Sequence, residues 1–87
     1  MKYRSRADII ATILRATTNG ATKTHIMYGA YLSYAQIKDY LGFMTVKGLI
    51  FQEESTGLYR LTDDGMRVLQ TYEGISDMIS VKETPVP

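Results

Sequence analysis

A mainly helical α+β fold, with one small β-hairpin among four helices, is predicted by three observations. Ser33 with Gln36 forms a capping-box pattern that opens an apolar helical repeat, and Gly48 ends it. Two short β-type runs, 49–53 and 58–61, then flank the turn-forming residues 54–57. A last apolar stripe, Val68, Leu69, Tyr72, Ile75 and Ile79, repeats at helical spacing.

The elements follow in order. Ser5 can cap a first helix, with Asp8 at its positive end and Ile9, Ile10, Ile13 and Leu14 on its apolar face. Asn19-Gly20 stops it, so the helix is expected over 6–18. Thr22 caps a second helix over 23–30, whose short apolar face is Ile26, Met27 and Ala30. Tyr31-Leu32 makes the turn, with Leu32 turned into the core. The third helix is expected over 34–47. Its Ile37, Leu41 and Met44 share a narrow arc, flanked by Tyr34 and Tyr40, while Ala35, Gln36, Lys38, Asp39, Gly42 and Val46 lie on the far side. Thr62 caps the last helix, Asp63 and Asp64 sit in its first turn, and its stripe runs to about residue 80.

Two helices, a recognition-type helix and a hairpin in this order describe a winged helix-turn-helix with an extended C-terminal helix. The expected organisation is a head over 1–61 with a basic N-terminal arm, a dimerisation helix over 62–80 and a flexible tail over 81–87. The 87 residues make one domain. A domain this small buries only about 60–65% of the surface its unfolded chain exposes, so a second copy would add stability.

Composition removes several function classes. There is no cysteine, hence no disulfide framework or thiolate metal site, and the single histidine, His25, cannot form a cluster. Asp63 and Asp64 are adjacent, so on a helix they diverge and make no acid/base pair. With no nucleophile–base pattern and no phosphate-binding glycine loop, an enzyme is not expected, nor a cofactor, metal or small-molecule ligand. No apolar run approaches the roughly 18–20 residues that span a bilayer. The basic start lacks the apolar stretch of a secretory signal, so the expected location is cytoplasmic and chromosome-associated.

The net charge of +1 hides an asymmetry. Residues 1–50 hold seven basic and two acidic side chains, a net of +5, and residues 51–87 hold three and seven, a net of −4. One half suits a polyanion and the other is repelled by it.

On the third helix, Gln36 suits adenine and Lys38 suits guanine. Ser33 and Tyr34 at its start can bond phosphate, although Ser33 is also a cap and Tyr34 also fits a core. Asp39 either repels phosphate or accepts from cytosine. Lys23, Thr24 and His25 open the helix that crosses the backbone. Lys2, Arg4 and Arg6 form an arm for phosphates or a minor groove, or else a solvated terminus. Arg60 is the wing's cation. The wing tip, with Glu53 and Glu54 and no base, disfavours minor-groove insertion. Leu69, Tyr72, Ile75, Met78 and Ile79 exceed what the head can cover; they meet a partner helix or fold back over the first helix.

The combination of Ala21-Thr22-Lys23-Thr24-His25-Ile26-Met27-Tyr28, Leu32-Ser33-Tyr34 with Gln36, Tyr40-Leu41, Lys47-Gly48-Leu49-Ile50 and Tyr59-Arg60-Leu61-Thr62 with Gly65 resembles archaeal winged helix-turn-helix DNA-binding proteins. That group spans small transcriptional regulators and chromatin-associated proteins that dimerise through a C-terminal coiled coil. The resemblance covers about residues 5–80. It implies that the helix from Tyr34 is the recognition helix, with Ala35 among its contacts, and that the last helix builds a homodimer. The expected function is a homodimeric transcriptional regulator that reads the major groove of double-stranded DNA. An architectural chromatin protein of low sequence specificity, or a winged-helix protein-interaction module, is the alternative.

Overall fold

A computed structural model describes residues 4–83, with side chains up to Met78. The order is α1 (Arg6–Thr17), α2 (Lys23–Gly29), α3 (Tyr34–Val46), β1 (Ile50–Gln52), β2 (Tyr59–Leu61) and α4 (Asp63–Glu83). Four helices and one hairpin make the mainly helical winged fold that the sequence predicts. α4 runs past the expected end at 80 to Glu83. Lys2 of the arm, residues 84–87 of the tail and the side chain of Ile79 lie outside the described residues.

Each helix starts where a side chain accepts a backbone N–H that the helix itself leaves unpaired. Ser5 and Asp8 form a reciprocal capping box on α1, and Ser33 and Gln36 form one on α3. Thr22 Oγ1 accepts His25 N–H at 3.1 Å on α2, and Thr62 Oγ1 accepts Gly65 N–H at 2.9 Å on α4. Each such cap contributes about 1 kcal/mol. α2 ends abruptly because Tyr31 adopts a left-handed conformation (φ 56°). Tyr31 N–H bonds Tyr28 O at 3.2 Å and Leu32 N–H bonds Met27 O at 3.1 Å, which turns the chain into α3.

The core is aliphatic. Ile13 and Leu14 of α1, Ile26 of α2, Ile37 and Met44 of α3 and Ile50 of β1 are fully buried, and Leu69 of α4 closes the cluster. Burial of each large side chain is worth about 1.5–3 kcal/mol. The one buried polar residue among those described, Thr17, donates its hydroxyl to Leu14 O at 2.9 Å, which removes the desolvation cost.

The hairpin pairs Ile50 with Leu61, Phe51 with Arg60 and Gln52 with Tyr59. A third extended segment joins it. Ala21 and Tyr59 exchange both backbone hydrogen bonds, at 3.0 and 2.8 Å, so the α1–α2 link is tied to the wing. In the sequence Asn19-Gly20 signals only a helix stop, and no local pattern marks this bridge.

α4 is fastened at two places. Gly65 lies so close to the α3–β1 link that an added Cβ would be 2.1 Å from Leu49 O. Thr62 Oγ1 lies 2.6 Å from Gly48 O and 3.0 Å from Leu49 O, sharing its proton between them. Two turns on, Tyr72 donates its hydroxyl to Asp8 of α1, and Arg15 pairs with Glu73 at 2.9 Å.

Candidate nucleic-acid interface

The outer face of α3 is open. Ala35, Gln36, Lys38, Asp39, Gly42 and Val46 are all exposed, opposite the buried seam of Ile37, Leu41 and Met44. Val46, 85% exposed, lines the groove beside the wing without being covered by it. Nothing within the chain approaches the position of a Cβ on Gly42, so the closeness this glycine allows is not used internally.

The cations are sorted by place. Among the described residues, the basic side chains remote from α3 are each paired with a carboxylate: Arg15 with Glu73, Arg60 with Glu53 and Arg67 with Asp64. Arg4, Arg6, Lys23, Lys38 and Lys47 make no ion pair within the described residues, and all lie around α3.

They border both edges of its exposed face. On one edge Arg6 lies 5.2 Å from the Tyr40 ring centre and 5.1 Å from that of Phe43, and Lys47 lies 5.7 Å from Phe43. On the other edge Lys23 stands 4.3 Å over the Tyr34 ring and 3.2 Å from its hydroxyl oxygen. Its bonded ammonium, and then its charge, pull the Tyr34 phenol below its ordinary value of 10.0. Lys23 and Lys38 both line a groove of about 480 Å³ between α3 and the wing, whose other side is Gln52 and Tyr59. Arg4 reaches Tyr31 O at 3.4 Å, at the turn into α3.

The remaining predicted residues divide. Thr24 and His25 are exposed at the start of α2, beside Lys23. Ser33 Oγ accepts Gln36 N–H at 3.2 Å, and Gln36 Oε1 accepts Ser33 N–H at 2.9 Å. The Gln36 carboxamide oxygen is therefore occupied in the free protein. Tyr34 is 62% exposed and so is no core residue. Arg60 Nε bonds Glu53 Oε1 at 3.1 Å, and its guanidinium packs over Gly20. Thr56, and then Arg60, hold the Glu53 carboxyl below its ordinary range. The wing's cation is thus neutralised locally.

The five C-terminal candidates also divide. Leu69 is buried in the head core, and Tyr72 is half-buried against α1 through Asp8. The first part of α4 therefore folds back on α1. Ile75 and Met78, 55% and 68% exposed, remain uncovered together with Val68. Among the described residues no group of His, Cys, Asp or Glu is arranged to hold a metal ion, and no helix is long and apolar enough to cross a membrane.

Four helices, a capped third helix with an open outer face and a hairpin tied back to the α1–α2 link define a winged helix-turn-helix. The chain belongs to the winged helix-turn-helix family, whose model matches residues 3–80. Among solved structures it is similar to Sso10a-2, a DNA-binding protein from Sulfolobus solfataricus. The two share 25% identity and a TM-score of 0.72, over 92% of this chain and 90% of that one. Comparison with curated protein sequences finds no match.

Proposed function

We propose that the chain is a DNA-binding transcriptional regulator that lays α3 in the major groove as one half of a homodimer. The carrying observation is the sorting of cations. Those around α3 are free, and those elsewhere are paired within the described residues. Free cations on both edges of an open helix face suit a groove with phosphates on both sides and base edges between them. Likeness to a DNA-binding protein from Sulfolobus supports the same reading.

Lys38 is exposed and has no hydrogen-bond partner among the described residues, so it is available to guanine. Gln36 reads adenine only by giving up its bond to Ser33 N–H, which makes it a weaker reader than its position suggests. The neutralised Arg60 and the acidic tip leave the wing outside the contact. The chain acts by occupancy, with no chemical step.

The dimer rests on the uncovered side of α4. Val68 and Ile75 continue an apolar groove of about 140 Å³ between α1 and α4, lined by Ile10, Leu14 and Tyr72. Two-fold dimers are the commonest assemblies, and an α4 from a second copy would cover this stripe.

Salt dependence tests the reading. The logarithm of affinity falls with the logarithm of salt by about 0.9 per phosphate neutralised. Lys38→Ala should flatten that slope by up to about one unit if Lys38 meets phosphate, or leave the slope and relax sequence preference if it meets a base. Arg67→Ala, at a paired site, should change neither. Absence of duplex binding at low salt would refute DNA recognition. An architectural role predicts equal affinity for all sequences in a selection from a random pool.

A further inference from the structure

We infer that Asp39 is a specificity-determining residue that selects cytosine in the major groove. This rests on the DNA reading above and goes beyond it by naming the base.

The geometry is particular to this carboxylate. At about 100° per residue, Asp39 points almost directly away from the seam of Ile37, Leu41 and Met44. It is exposed, and it makes no ion pair or side-chain hydrogen bond among the described residues. It stays unpaired although five free cations border the same helix. Four of those cations, Arg4, Arg6, Lys23 and Lys47, are held at the edges by the Tyr31 carbonyl and the rings of Tyr34, Tyr40 and Phe43. Lys38 has no such partner among the described residues, and Asp39 lies on the midline.

The midline is also low. Four residues before Asp39 stands Ala35 and three after it stands Gly42, both on the same face and both exposed. The space beside Gly42 is empty to 4 Å. A glycine inside a helix weakens it, so its presence here needs another use. Small residues on either side let the helix backbone come close to base edges, close enough for a short carboxylate to touch them.

The chemistry then selects the base. An ionised carboxylate only accepts hydrogen bonds. Phosphate oxygens, guanine O6 and N7 and thymine O4 are acceptors and repel it. Adenine N6 is a donor, but N7 beside it is an acceptor. Cytosine N4 is the donor that a carboxylate takes in the major groove. A residue that would weaken a purely electrostatic contact therefore gains a use as a filter against three of the four bases.

Selection from a randomised duplex pool tests this with the full-length chain. The native protein should enrich cytosine at one position per half-site, and replacing that base should weaken binding about tenfold. Asp39→Asn should move the enrichment at that position from cytosine to adenine, because a carboxamide pairs with adenine N6 and N7. Asp39→Ala should lose the preference there while other positions keep theirs. Because Asp39 is exposed, both variants should fold, as circular dichroism will confirm. Binding without a cytosine preference, or the same preference in Asp39→Ala, overturns the assignment and leaves DNA binding intact. Uniformly tighter binding of Asp39→Ala to all sequences overturns it too, since that outcome is repulsion alone. Failure of the native protein to bind any duplex at low salt overturns both.

Discussion

Tyr72 on α4 donates its hydroxyl to Asp8 in the first turn of α1, joining residues 64 positions apart in sequence. The same carboxylate accepts Ser5 N–H at 3.1 Å, so one side chain caps α1 and anchors α4. The bond from Tyr72, then those from Ser5, hold Asp8 below its ordinary value of 3.8, and Asp8 in turn holds Tyr72 above 10.0. For Asp8 the folded pKa is depressed, so its contribution to stability is complete above about pH 4 and is lost as pH falls through the folded value. For Tyr72 the folded pKa is raised, so its contribution is complete below about pH 10 and is lost as pH rises through the folded value. Asp8→Asn should lower the stability plateau above about pH 4, flatten the fall in stability on acidification, and move the Tyr72 titration back toward 10.0. Thermal unfolding across pH and carbon NMR of the tyrosine rings will measure both. An unchanged Tyr72 titration would show that the bond does not form.

Tyr31 bears a left-handed backbone on a side chain that is 85% exposed. That conformation costs a non-glycine residue about 1–2 kcal/mol, and little packing is lost on truncation. Tyr31→Gly should therefore stabilise the fold by up to about 1 kcal/mol, after the greater unfolded-chain freedom of glycine is counted. Urea unfolding at constant m-value is the measurement.

Gly65 is the opposite case. Its helical backbone would accept alanine, but the added methyl would meet Leu49 O at 2.1 Å and Leu61 Cδ1 at 2.8 Å. Gly65→Ala should cost about 1–3 kcal/mol, because the obstacle is backbone rather than the end of a flexible side chain. Gly42→Ala, into open space, should instead stabilise α3 by about 0.5–1 kcal/mol.

Ile75 is 55% exposed on the free side of α4. Ile75→Glu leaves the head core untouched and should shift a dimer to monomers in sedimentation equilibrium. Dimers that persist would move the interface away from this stripe.

Local signals were strong enough to place every helix start, since Ser5, Thr22, Ser33 and Thr62 act through neighbours three residues away. The seam of α3 was equally legible, because helical periodicity alone puts Ile37, Leu41 and Met44 together. What escaped was long-range. The Ala21–Tyr59 bridge is a single residue of extended chain with no alternation to mark it. The Arg60–Glu53 pair lies across a hairpin whose register depends on the turn, so Arg60 read as a free cation. Leu69 and Tyr72 belong to the same apolar stripe as Ile75, and spacing does not reveal where α1 stops covering it.

The Thr62 hydroxyl, shared between the carbonyls of Gly48 and Leu49, joins the first turn of α4 to the residue that terminates α3. No slack segment separates the long rod from the helix with the open face. A tilt of α4 about its first turn therefore loads this hydroxyl and the Leu49 carbonyl packed against Gly65.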